Sequence, residues 1–407
     1  MKNRVQDILS SIITKLRTYK KFTGSTYSVI VIDSGYFLIK EITLSLLKID
    51  CRVEKLPLYN SINGDPSIKN SSGVNPNFVE DLLLKIYKHK PDFIVTVNMI
   101  GFDEEGRLSN LLNSINLPVV NWFTDTPFGI IKNPINFDKE NIYSFSWEKH
   151  YIPKFNSLFK KHRIYYLPYA TQMNKEYNFS HEFESEISFV GNSMIEAVNL
   201  WRERCKIKRE VEERFIDTIY NTEQFSVIAK LIESFIDENS IENYEASFYY
   251  FLGSKILRER IFKFLDRENM PVDIYGDNYW EDYGFKNHRL KGKVNYYSEL
   301  PYIYRSSYIS LNITSPQMIS AVNQRVFDCF SAGGFLISDK REDLEILFDS
   351  FPTYDSEKQL LDIISYYKKN IDFHLLLKER IKKSIRTLHS YENRLSYIID
   401  VLRSEKS

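Results

Sequence analysis

The residues best placed to do chemistry in this chain fall in one string, Asn323-Gln-Arg-Val-Phe-Asp-Cys-Phe-Ser-Ala-Gly-Gly-Phe-Leu-Ile-Ser338. Read as a helix, it puts Arg325 and Asp328 on one face and lets Gly333-Gly334 close the helix. A guanidinium neutralises a diphosphate and a carboxylate accepts hydrogen bonds from a ribose diol, so that face could hold both ends of a nucleotide. A plain surface Arg-Asp pair is the alternative. Two strand-like runs upstream also end in glycine, Ile187-Ser-Phe-Val-Gly191-Asn192 and Val272-Asp-Ile-Tyr275-Gly276. The chain has only 14 glycines, so their position at strand ends points to backbone amides approaching a phosphate, or to positive φ. Gly191, Asn192, Tyr275, Gly276, Arg325, Asp328 and Gly333 are thus the candidate nucleotide-binding residues.

Two carboxylates are candidates for proton transfer. Asp33 ends the run Tyr27-Ser-Val-Ile-Val-Ile-Asp33, and Asp125 follows Pro118–Phe123. Ligands of parallel α/β sheets bind outside the carboxyl ends of the strands, where a base can reach an acceptor hydroxyl. For Asp125, which precedes Thr126-Pro127, capping or a turn is the competing expectation. Tyr279-Trp280 and Tyr296-Tyr297 are aromatic pairs beside the expected nucleotide site, and core packing explains them equally well.

Other chemistries lack their residues. Gly101-Phe-Asp-Glu-Glu-Gly106-Arg-Leu has the spacing of a P-loop but carries acids where phosphates would sit and no Lys-Ser/Thr. There is no Gly-x-Gly-x-x-Gly for a nicotinamide or flavin cofactor, and the 7 histidines are scattered without His-Glu-x-x-His. Cys51, Cys205 and Cys329 have neither disulfide nor zinc-knuckle spacing. Lys plus Arg and Asp plus Glu each number 54, which removes the footprint of a general nucleic-acid binder. No apolar run reaches the roughly 20 residues that span a bilayer, and no secretory h-region is evident, so a cytoplasmic protein is expected.

These residues must be positioned by alternating strands and helices. Short β-branched runs at Tyr27–Asp33, Asp92–Met99, Pro118–Phe123 and Ile164–Pro168 are separated by helical patterns, and a second series runs from Ile187 to Ser338. The expectation is an N-terminal amphipathic helix over 1–22, a first Rossmann-like domain over 23–175 and a second over 176–407. The second carries a helical insertion at about 199–268 and closes with C-terminal helices. The N-terminal helix has the pattern of one that packs on its own domain or touches an anionic membrane, and the insertion reads as an ordinary structural elaboration, with self-association or docking of an acceptor protein as the alternatives. Residues 60–77 read as a surface loop.

From about Tyr165 onward the chain resembles the CgeB-like, or spore-maturation-type, glycosyltransferases of the GT-B group. The resemblance rests on Leu167-Pro-Tyr-Ala-Thr171, Ile187–Asn192, Val272–Gly276, Gly292-Lys-Val294 through Asn312, Arg325-Val-Phe-Asp328 to Ser338, and His389–Arg394. Upstream, Trp122-Phe-Thr-Asp125-Thr-Pro127 is similar to a stretch of the same group's N-terminal domain. The resemblance implies two Rossmann-like domains facing across a cleft and a sugar moved from a nucleotide-diphosphate donor to a glycan or protein acceptor, without a metal or cofactor. It puts Gly191 and Asn192 near the donor phosphates, Arg325 at the diphosphate and Asp328 at the ribose, where the family usually has glutamate. Many retaining members carry a further glutamate eight residues before the ribose carboxylate; here Ser320 stands there. A nucleotide-sugar epimerase of the same fold and a non-catalytic nucleotide-sugar-binding scaffold are the alternatives.

Overall fold

The computed structural model describes residues 13–36, 38–58 and 76–405. The chain divides into two compact units, Met1–Pro168 with Tyr391–Ser407, and Tyr169–Ser390.

The first unit is built on six parallel strands: β1 (Ser28–Asp33), β2 (Arg52–Pro57), β3 (Phe93–Val97), β4 (Val119–Phe123), β5 (Ile142–Ser146) and β6 (Arg163–Tyr166). Their order is β2-β1-β3-β4-β5-β6. Every residue of β3, β4 and β5 is buried, as expected of apolar strands covered by helices on both faces. Ile30, Ile32, Ile94 and Val119 meet Phe78, Leu82 and Ile86 of helix α2 (Pro76–His89) and Leu108 and Leu112 of α3 (Arg107–Ser114), while α1 (Ile39–Lys48) links β1 to β2. The pseudo-P-loop ends at α3, whose first amides are already taken: Arg107 N and Leu108 N donate to Asp103 at 2.7 and 2.9 Å.

The second unit has its own six parallel strands: β7 (Ser185–Val190), β8 (Asp273–Tyr275), β9 (Arg289–Leu290), β10 (Ser307–Asn312), β11 (Leu336–Asp339) and β12 (Thr353–Tyr354). The order β12-β11-β10-β7-β8-β9 is that of a doubly wound nucleotide-binding sheet. Between β7 and β8 the chain forms four helices, α4 (Ile195–Arg204), α5 (Arg209–Tyr220), α6 (Phe225–Glu238) and α7 (Asn243–Arg267). Phe215 joins three of them, its ring 5.1 Å from Phe235 and 5.0 Å from Tyr249. The later helices are α8 (Leu300–Ser306), α9 (Arg325–Ser331), α10 (Glu342–Leu347), α11 (Glu357–Lys369) and α12 (Ile371–Leu388).

The last helix, α13 (Tyr391–Ser404), departs from the sequence reading, which placed it in the second domain. It buries Tyr391, Leu395, Ile398 and Leu402 in the first unit. The Tyr391 ring lies 5.9 Å from Trp122, and Arg394 Nε donates to Pro168 O at 2.8 Å. Helical spacing marks the apolar face of such a helix but does not say which sheet covers it.

Of the expected N-terminal helix, residues 13–18 are helical, with Leu16 buried in the first unit's core; Ile8, Leu9 and Ile12 lie outside the described residues. Most of the loop expected over 60–77 also lies outside them. Among the described residues no helix is long and apolar enough to cross a membrane.

Candidate active site

Strand order locates the second unit's ligand site. The chain turns opposite ways from β7 and β10, neighbours in the sheet, and ligands bind where such a reversal opens a crevice at the strands' carboxyl ends. β7 ends at Val190, followed by Gly191 and Asn192, and β10 ends at Asn312. Arg325, the first residue of α9, is held there: its Nη1 donates to Asn312 Oδ1 at 2.6 Å, and its guanidinium carbon lies 5.5 Å from the centre of the Phe189 ring.

A second guanidinium, overlooked in the sequence, shares that ring. Arg258 of α7 is buried, its guanidinium carbon 5.9 Å from the Phe189 centre, and its Nη1 donates to Asn192 O at 2.7 Å. Its Nε has no hydrogen-bond partner among the described residues. Burial, and then the charge of Arg325, pushes its pKa down to about 9. Among the described residues neither arginine forms an ion pair with a carboxylate. Two cations held together in a low-dielectric site, with Asp277 only a minor and non-contacting counter-charge, make a receptor for a polyanion.

Gly191 and Gly276 do not hold their backbone amides open. Gly191 N already donates to Tyr275 O at 2.8 Å, and Gly276 N to Gly292 O at 2.9 Å, so neither amide is left for a phosphate. A Cβ on Gly276 would stand 2.3 Å from Gly191 O and 2.5 Å from Trp280 Nε1, the indole that donates to Gly191 O at 2.9 Å. Close packing of adjacent strand ends requires glycine there. The Tyr275 side chain is buried, and burial pushes its pKa up to about 12. Gly333 has φ +89 just past the far end of α9, with its carbonyl accepting from Arg305, and does not join Arg325.

Asp328 is buried one turn into α9. Its Oδ1 accepts from Thr171 Oγ1 at 2.6 Å and its Oδ2 from the Tyr296 hydroxyl at 2.7 Å, while Gln324 Nε2 donates to that hydroxyl. Each flagged aromatic pair has one exposed ring, Tyr279 or Tyr297; Trp280 is core and Tyr296 orients Asp328.

The first unit has its own reversal, between β1 and β3. Asn98, just past β3, has φ 54, a left-handed turn that asparagine tolerates. Its Nδ2 donates to Asp125 Oδ2 at 2.8 Å and to Thr124 Oγ1 at 2.7 Å, and its Oδ1 accepts from Thr124 N at 2.8 Å. The Tyr36 hydroxyl, from the loop after β1, donates to the same Asp125 oxygen at 3.1 Å. Burial, then the Asp125 charge, pushes the Tyr36 pKa up to about 12, so it stays a donor at neutral pH. Asp125 is half-buried, and its Oδ1 accepts from none of the described residues. Helix capping is not its role, since the N-cap before Pro127 is Thr126. Asp33 is engaged elsewhere, 2.5 Å from Lys55 Nζ and accepting from Gly35 N at 3.1 Å.

A buried polar chain props the turn that carries Asn98. Met99 N donates to Asn121 Oδ1 at 2.8 Å, Asn121 Nδ2 to Ser144 Oγ at 3.1 Å, and Ser144 Oγ lies 2.7 Å from His162 Nε2. Complete burial pushes the His162 pKa down to about 3, so the ring is neutral.

Residues 258–400 match the family described as glycosyl transferase-like. Sucrose-phosphate synthase from Thermosynechococcus elongatus superposes with a TM-score of 0.55 at 10% identity, covering 93% of this chain and 98% of its own. The fold is GT-B, and the family signature is that of a glycosyltransferase. A UDP-forming α,α-trehalose-phosphate synthase from Burkholderia xenovorans is similar at a TM-score of 0.48 and 9% identity, covering 94% of this chain and 100% of its own. No curated protein gives a significant sequence match. A GT-B glycosyltransferase takes a nucleotide-sugar donor and a sugar acceptor. The epimerase and scaffold alternatives are not favoured.

Proposed function

We propose that this GT-B glycosyltransferase binds the diphosphate of its nucleotide-sugar donor between Arg258 and Arg325, in the manner of the CgeB-like enzymes. The observation that carries the reading is the pair of guanidiniums about Phe189, neither of which forms an ion pair with a carboxylate among the described residues. Asp328, oriented by Thr171 and Tyr296, accepts from the ribose. In the first unit, Asp125 removes the proton from the acceptor hydroxyl through the oxygen that Asn98 and Tyr36 leave free. The acceptor oxygen bonds to the anomeric carbon as the bond to the diphosphate breaks, and the two guanidiniums take up the charge that develops on the leaving group. They supply the positive charge that a divalent cation provides elsewhere, so transfer proceeds without a metal.

The test is a thermal-shift screen against UDP, GDP, CDP and dTDP and their sugars, with and without EDTA, on the native protein and on Arg325→Ala. Stabilisation by one nucleotide series, indifferent to EDTA and lost in the variant, is expected. No shift with any nucleotide, or a shift that survives in the variant, refutes the donor site.

A further inference from the structure

At the end of α9 opposite Arg325, four cations of the second unit gather. Arg305 donates through Nε to Tyr177 O at 3.2 Å and through Nη1 to Gly333 O at 3.3 Å. Arg386 donates to Ser331 O at 2.6 Å and pairs with Glu176. Lys382 lies 3.2 Å from the same Glu176. Lys378, Lys382 and Arg386 follow one another at four-residue spacing along one face of α12.

Capping explains part of this cluster. Arg305 and Arg386 satisfy carbonyls left open where α9 ends, and cations suit a helix C-terminus. Lys378 is not explained in this way. It is half-buried, and among the described residues its Nζ has no hydrogen bond or ion pair. Burial first, then the charge of Arg305, holds its pKa below the usual lysine range, and Lys382 adds to the repulsion. The carboxylates nearby are outward: the side chains of Glu176 and Glu379 are 71% and 64% exposed. Arg305 uses only two of its five N–H donors on the carbonyls. A partly desolvated ammonium beside a guanidinium with spare donors lacks one component, a compact anion with several acceptor oxygens.

We propose that Arg305 and Lys378, flanked by Lys382, form a second anion site, which takes a small soluble ligand bearing a phosphate group and is separate from the nucleotide site. The guanidinium fork takes two phosphate oxygens and the ammonium a third. The site does not depend on the donor assignment, because none of its residues takes part in that.

Titration of the full chain with inorganic phosphate at constant ionic strength, followed by 31P line broadening, tests it, with acetate as the carboxylate control. The native protein and Arg325→Ala are expected to titrate with the same midpoint, and Lys378→Gln to raise the midpoint at least tenfold. Binding unchanged in Lys378→Gln, binding lost in Arg325→Ala, or acetate matching phosphate would each overturn the proposal. Should Lys378→Gln fail to fold, Arg305→Lys reads the same site, with the same tenfold loss expected. Failure of the donor assignment would show separately, in the nucleotide screen.

Discussion

The two units share one layer plan yet present opposite charge at the reversal of their sheets. At the β7/β10 reversal stand two guanidiniums that form no ion pair with a carboxylate among the described residues; at the β1/β3 reversal stands a carboxylate held by neutral donors. Parallel α/β topology provides a crevice at the strand ends and leaves its chemistry to the few side chains that reach it. The second crevice is poised for a diphosphate, and the first for a proton.

The most severe way to break the contrast is to neutralise the first unit's charge. Asp125→Asn is expected to lower turnover by about 10²–10⁴-fold, with the nucleotide-induced thermal shift unchanged. Equal loss of nucleotide binding would show that the two units do not divide the work as proposed. Leu395→Ala, in the core of the returning helix α13, should cost about 2–5 kcal/mol, with hydrogen exchange rising in the first unit rather than the second. Arg325→Ala should weaken nucleotide affinity by about 10–100-fold, the loss of a charge-assisted contact, and leave the first unit's exchange pattern alone.

A further test is the dependence on pH. His162 has a folded pKa pushed below its ordinary value of 6.5 to about 3, so native structure favours the neutral ring. Its contribution to stability is complete above pH 6.5 and falls as the pH drops from there toward 3. The slope is about 1.4 kcal/mol per pH unit for one proton. Acid should therefore loosen the first unit, and His162→Gln should flatten the profile in chemical denaturation between those limits. A slope unchanged in the variant would assign it to other groups.

Much of the plan was legible in the chain itself. Runs such as Ser-Val-Ile-Val-Ile-Asp33 announce buried parallel strands, because a sheet covered on both faces needs apolar side chains on both. Arg325 was legible because it shares a helical face with Asp328 ahead of two glycines, in a string that resembles the CgeB-like motif, and Asp125 because it follows a strand. Asn98 carried a weak signal, a polar residue directly after β3 that tolerates a left-handed turn. Arg258 carried none: in Leu257-Arg-Glu-Arg260 it looks like any solvated helix residue, and only tertiary packing turns it inward against Phe189.

Local periodicity and composition, which act over a few residues, thus determined the strands, the helices and the ends of strands where ligands bind. Three things were decided by the tertiary structure: that Gly276 is a packing glycine, that α13 belongs to the first unit, and that Arg258 joins Arg325. Each depends on which distant surfaces meet, and that is set by the burial of whole faces rather than by neighbours along the chain.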